Sequence, residues 1–316
     1  MVLDYIQSYM EGDAWEGLCD EWYRDRYQNE GFQKIPSVDG GDAGIEGFTH
    51  TGIAYQCYCP ERGYTDNELH DHLRKKMTTD INKLVDDKYG KRLVELGVPP
   101  IKEWHFVTPE YRDSKIIKHA KKKTDLVLGK KYENPDKYSY ISEEFKIYIK
   151  IAQDFKVEFT RSFRRRCTDV KLNLAVKNTT KIDWEKCESE KAENIKRKVR
   201  AVMGDVPEDD PAYLDIVHSY IKYYMRGLEI LANLRETFPV IYEDIQELEA
   251  AYKMEVEIRT KINTDRSINR DLFNEIIKEF GDKLEKEFDN LSTFSISELK
   301  QDMIGGWLAD CSMEFR

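Results

Sequence analysis

Residues Ser37–Pro60 read SVDGGDAGIEGFTHTGIAYQCYCP, and the rest of the chain is organised around this stretch. It opens as a glycine-rich turn in which Asp39, Asp42 and Glu46 place three carboxylates within eight residues. Glycines at 40, 41, 44 and 47 permit turns that bulkier residues would block. Gly52–Tyr58 (GIAYQCY) then has the β-branched and aromatic make-up of a strand. On that strand Gln56 and Tyr58 share one face, and Ile53, Tyr55 and Cys57 take the other. Carboxylates on a turn beside a polar strand face suit a hard divalent cation. The same residues would also serve a turn without chemistry, because Asp and Gly favour turns for conformational reasons alone.

Upstream, residues 12–29 predict an amphipathic helix whose stripe is Trp15, Leu18, Cys19, Trp22 and Tyr23, with Asp13 as N-cap. Glu16 flanks that stripe. Gly31–Pro36 (GFQKIP) predicts a first strand leading into the acidic turn. Downstream, a long polar helix is expected from Asp66, with Leu69, Leu73, Met77, Ile81 and Leu84 as its apolar line and Lys75 and Lys76 at its middle. His70 and His72 are two apart, so on a helix they diverge and make no metal pair. Pro99–Pro109 predicts a strand, Asp113–Lys123 a helix ending in the basic run HAKKK, and Tyr138–Phe159 a further strand followed by extended or helical chain.

The run GGDAGIEG followed by AYQCY resembles the PD-(D/E)xK nuclease core, in particular its Mrr-like branch. Within that branch, YQCYCPE at 55–61 is most similar to nuclease-type effectors of bacterial ABC-ATPase three-component defence systems, the Lamassu-like group. The resemblance implies a restriction-endonuclease-like α/β core over residues 1–165 and an all-α assembly domain over 166–316. It puts Glu46 in the acidic position, Asp42 beside it, and Gln56 at the start of the strand motif. Trp15-Glu16 matches, loosely, a helix whose acid reaches the metal, with Glu21 a weaker candidate. Tyr58 stands where the family carries a lysine, and Lys75 or Lys76 of the next helix is the expected substitute.

Mg²⁺ or Mn²⁺ is therefore the expected cofactor, held by Asp42, Glu46, Gln56 and Glu16. Catalysis is expected from Asp42, Glu46, Gln56 and Lys76, with Tyr58 at the family's lysine position. Double-stranded DNA is the expected substrate. The implied partners are an SMC-like ABC ATPase, a small accessory subunit and further copies of the chain once active. A catalytically inactive nuclease fold used for DNA docking or assembly is the alternative, and an RNA-cutting toxin a third.

The chain has 316 residues, enough for two domains, and its 50 Lys and Arg against 60 Asp and Glu give a formal charge of −10. That balance argues against tight DNA binding by the chain alone. Basic residues gather at Lys121–Lys123, Lys130–Lys131, Arg161 and Arg164–Arg166, with Tyr132 and Phe163 near them, a pattern suited either to a phosphate backbone or to a solvated face. The six cysteines form no CxxC pair, the start is too polar for a signal peptide, and no run is apolar enough to span a membrane. A reduced, cytoplasmic setting is expected.

From about Ile182 the pattern turns helical. Leu214, Val217, Ile221, Tyr224, Leu228 and Leu231 form the expected stripe of one helix, which Pro239 ends. Helices over Val240–Ile262 and Asp271–Phe288 should follow, then one capped by Ser295 or Ser297. The closing GGWLADCSMEF is apolar enough that Trp307, Leu308, Met313 and Phe315 are expected inside the core.

Overall fold

The computed structural model describes residues 12–36, 43–60, 64–164, 171–174, 187–204, 206–310 and 312–315, except the side chain of Arg164. The chain forms two compact units that divide between residues 168 and 169.

The first unit is α/β. Helix α1 (Gly12–Arg26) buries the expected stripe of Trp15, Leu18, Cys19, Trp22 and Tyr23. A short 3-10 turn follows and stops at Gly31, whose φ of 67° lies in the left-handed region. Three short strands then form an antiparallel meander: β1 (Gln33–Lys34), β2 (Gly47–Phe48) and β3 (Ile53–Cys57). Beyond β3 the sheet becomes parallel, with β4 (Ile101–Thr108) and then β5 (Ile141–Ile151). Parallel neighbours need long crossovers. Helices α2 (Asp66–Leu84) and α3 (Asp87–Glu95) make the first crossover, and α4 (Lys115–Glu133) makes the second.

Strand alternation assigns the two faces of the sheet. Phe48, Ala54, Trp104 and Phe106 belong to one core, with Leu69, Leu73, Met77, Ile81 and Leu84 of α2 and with Ile116, Ala120 and Val127 of α4. Tyr55 turns to the opposite side and stacks on Tyr23 of α1, ring centres 4.0 Å apart. Trp22 of α1 stacks in turn on Phe155, just before α5 (Lys156–Arg164). One expectation changes here. Helix α4 runs to Glu133, so HAKKK lies within it; the first strong stop is Pro135, which disfavours helix at the residue before it. Strand β5 ends at Ile151, where the Asp154 carboxylate accepts the backbone N–H of Ile151 at 2.9 Å and turns the chain towards α5.

The second unit is mostly helical over its described residues, with α6 (Ser189–Met203), α7 (Pro211–Thr237), α8 (Pro239–Ile262), α9 (Asn269–Glu287) and α10 (Thr293–Ala309), and a single bridge pairs Leu172 with Leu291. Asp210 caps α7 by accepting from Tyr213 N at 2.9 Å, with Pro211 opening the first turn. The buried line of α7 is Tyr213, Val217, Gly227, Ile230 and Leu234, whereas Leu214 and Leu228 are exposed. The reason is α10. A Cβ on Gly305 would lie 2.8 Å from Tyr224 N, and one on Gly227 would lie 3.0 Å from the Asp302 Cβ. Close backbone approach therefore rotates α7 about the glycine contact and away from its leucine line. Ser292, not Ser295 or Ser297, caps α10. Trp307, Leu308, Met313 and Phe315 are buried as expected.

Candidate active site

The meander brings Glu46 and Gln56 together. Glu46 continues β2 backwards: its N–H donates to Tyr55 O at 2.7 Å, and its carbonyl accepts from Ile35 N at 2.7 Å. Ten residues on, Gln56 lies on β3 with its side chain on the same face as Ala54. Gln56 Nε2 donates to Glu46 Oε1 at 2.5 Å, and the two residues are 1% and 7% exposed. Gln56 Oε1 is buried and accepts no hydrogen bond from the described residues. A buried acceptor left open costs about 1–3 kcal/mol, so such atoms cluster where a ligand completes them.

Gly44 fixes the turn that carries Glu46. Its φ is +81°, and an added Cβ would come within 2.4 Å of Asp80 O on α2. Trp104 of β4 donates its indole N–H to Gly44 O at 3.0 Å. The turn is thus clamped between α2 and β4. Asp80 itself is fully buried and forms an ion pair with Lys76 Nζ at 2.9 Å. Lys76 is 27% exposed, on the helix that covers the Gln56 face of the sheet. Asp80 was not singled out from the sequence, although the signal is there: a carboxylate next to Ile81 and three residues from Met77, within an apolar line.

Other expected residues lie elsewhere. Asp42 falls outside the described residues. Tyr58 is half-buried against the core, its ring 6.4 Å from Phe106, and its N–H donates to Val107 O. Glu16 forms an ion pair with Lys34 of β1 at 3.3 Å, and α1 covers the face opposite Gln56. Glu21 is pushed upward in pKa, chiefly by burial. His70 is half-buried, and His72 stacks on Tyr64 at 4.3 Å. Of the basic stretch, Arg161 is held by Asp25 at 3.1 Å, Tyr132 is 89% exposed, and Phe163 is fully buried against Phe159, out of reach of any nucleic acid. Arg165 and Arg166 lie outside the described residues.

Among the described residues, no three His, Cys, Asp or Glu side chains gather as a metal-binding group. The Glu46 carboxylate and the open Gln56 Oε1 nevertheless fit Mg²⁺ or Mn²⁺ chemically. Both are hard oxygen donors, and Mg²⁺ is commonly held by one or two carboxylates with water and substrate phosphate completing the shell.

A second polar network lies on the other face of the sheet. Tyr23 Oη is 2.7 Å from His105 Nδ1, and His105 Nε2 is 2.8 Å from Glu103 Oε2. Burial lowers the His105 pKa more than the neighbouring Glu103 raises it. A neutral ring must donate from Nε2, because a carboxylate only accepts; Nδ1 then accepts the tyrosine O–H. The network fastens α1 to β4.

No family model, no curated protein and no solved structure matches the chain.

Proposed function

We propose that the α/β unit is a metal-dependent endonuclease acting on double-stranded DNA, within a bacterial defence complex of the ABC-ATPase three-component kind. The observation that carries this reading is the buried Glu46–Gln56 pair with an open oxygen. Supporting it is the chain order: helix, strand, acidic turn and Gln-bearing strand follow one another as the resemblance implies. Glu46 and Gln56 Oε1 would hold Mg²⁺ or Mn²⁺, with Asp42 as a further ligand. When bound, that ion polarises the phosphate and lowers the pKa of its water. The Glu46–Gln56 hydrogen bond orients the carboxylate. Lys76, set by Asp80, supplies the positive charge that Tyr58 lacks. Partner subunits hold the effector inactive, and release allows self-association and double-strand cuts.

Plasmid cleavage with Mg²⁺ or Mn²⁺, over a range of chain concentrations and with partner subunits added, tests the reading. Nicking or linearisation lost in both Glu46→Ala and Gln56→Ala supports it. A second reading, a nuclease fold used for docking or assembly without catalysis, is favoured by Tyr58 packing in the core where a lysine is expected. That reading predicts no cleavage under any of these conditions and no melting shift with either ion.

A further inference from the structure

The helical unit carries a basic cleft that plays no part in the nuclease reading. Lys196, Arg197 and Arg200 of α6 line it together with Arg266, and the buried Tyr213 and Phe315 form its floor. Lys196 and Arg197 each lie one turn from Arg200 on α6, four and three residues away, so the sequence brings both towards it. The volume is about 660 Å³, within the roughly 300–1,000 Å³ of small-molecule sites. Its four cations outnumber its carboxylates, Glu193 and Glu208, in a chain whose formal charge is −10.

Three of these cations, Lys196, Arg197 and Arg200, are not fully used by the described residues. Arg197 is exposed and takes part in no ion pair or hydrogen bond with the described residues. Arg200 gives Nη1 to Glu208 at 2.9 Å, while its Nε is shielded from solvent and donates to nothing. Lys196 Nζ lies 2.6 Å from Glu193. Glu193 and Glu208 are 69% and 81% exposed in their side chains. Ion pairs that exposed contribute about 0–1 kcal/mol and yield to a stronger anion. Guanidinium groups match phosphate oxygens bidentately, more strongly than they match a single mobile carboxylate. Leu214, 38% exposed, adds an apolar wall. A floored cleft accepts a terminal phosphate, not the side of a strand running through.

We propose that this cleft binds a nucleotide, with its phosphates on Arg197 and Arg200 and its base against Leu214. The test is isothermal titration calorimetry of the full chain with ATP, AMP, inorganic phosphate and a short DNA duplex. ATP should bind, and Arg197→Ala should weaken it about tenfold or more, the loss of one charge-assisted contact. Arg197→Lys should lose less, and Lys121→Ala, on α4, should change nothing. Arg197 is exposed, so its variants keep the fold, which circular dichroism checks. Three results overturn the proposal: no ATP binding at millimolar concentration, unchanged affinity in Arg197→Ala combined with Arg200→Ala, or inorganic phosphate bound as tightly as ATP. Duplex binding without ATP binding also overturns it, assigning the cleft to a nucleic-acid backbone instead.

Discussion

Gly44 and Gln56 show how single positions hold the candidate site. Gly44 combines a φ of +81° with backbone packing against Asp80 O, so any side chain is both strained and obstructed. Gly44→Ala should cost at least about 1–3 kcal/mol, read as a lower urea midpoint, and under the proposed nuclease function it should displace the Glu46 turn enough to remove cleavage. A wild-type midpoint in that variant would show that the turn is not clamped. Gln56→Leu keeps the bulk at position 56 but removes the donor to Glu46. It should cost about 1–3 kcal/mol, the penalty of taking a partner from a buried polar group. Both residues were visible in the sequence as turn and strand signals. That Gln56 Oε1 would be left open was not, because an open acceptor is a property of its surroundings.

At the level of elements, α2 covers the candidate site and carries the Lys76–Asp80 pair. Its line of Leu69, Leu73, Met77, Ile81 and Leu84 was legible from 3.6-residue periodicity, and all five are buried. Thr65 and Glu68 close its start with a reciprocal capping box. The same spacing places Asp80 beside Ile81 and one helical turn from Lys76, and packing of α2 against the sheet buries it there. Lys76→Ala removes the cation from a fully buried carboxylate. The expected cost is on the order of 1–3 kcal/mol, with cleavage reduced at least tenfold if Lys76 supplies the missing charge. Unchanged cleavage would remove Lys76 from the mechanism and leave it an anchor of Asp80. Helix α7 teaches the converse lesson. Its leucines at 214 and 228 suggested one stripe, but the approach of α10 at Gly227 and Gly305 chose another.

For the whole molecule, the two units should respond to acid in opposite directions. In the α/β unit, burial lowers the pKa of His105, and that of His119 falls to about 4, again mainly through burial. Below the ordinary histidine value of about 6.5 the unfolded chain takes up protons that the folded unit refuses. These histidines therefore support the fold above that value, and the support is lost as pH falls towards their folded values. In the helical unit, Asp302 faces Arg226 and Glu298, yet burial raises its pKa to about 7. A raised folded value acts the other way: its support is present below the ordinary carboxylate range and is lost as pH rises through about 7. Urea unfolding followed by peptide-resolved hydrogen exchange should show β4 losing protection, and α10 gaining it, between about pH 7.5 and pH 5.5. His105→Gln should diminish the first change and Asp302→Asn the second. Parallel movement of both units would contradict the assignment.

The sequence by itself determined the α/β-then-helical organisation, the strand that bears Gln56, the turn that leads into Glu46, the apolar face of α2 and the burial of Trp307, Leu308, Met313 and Phe315. Each is written in local periodicity, in turn chemistry or in apolar content. Tertiary structure alone decided which polar groups meet. Glu46 with Gln56, Tyr23 with His105, and the arginines of α6 with Arg266 are joined by strand register and helix packing. None of these meetings is fixed by local periodicity, because strand pairing or helix packing has to bring the partners together.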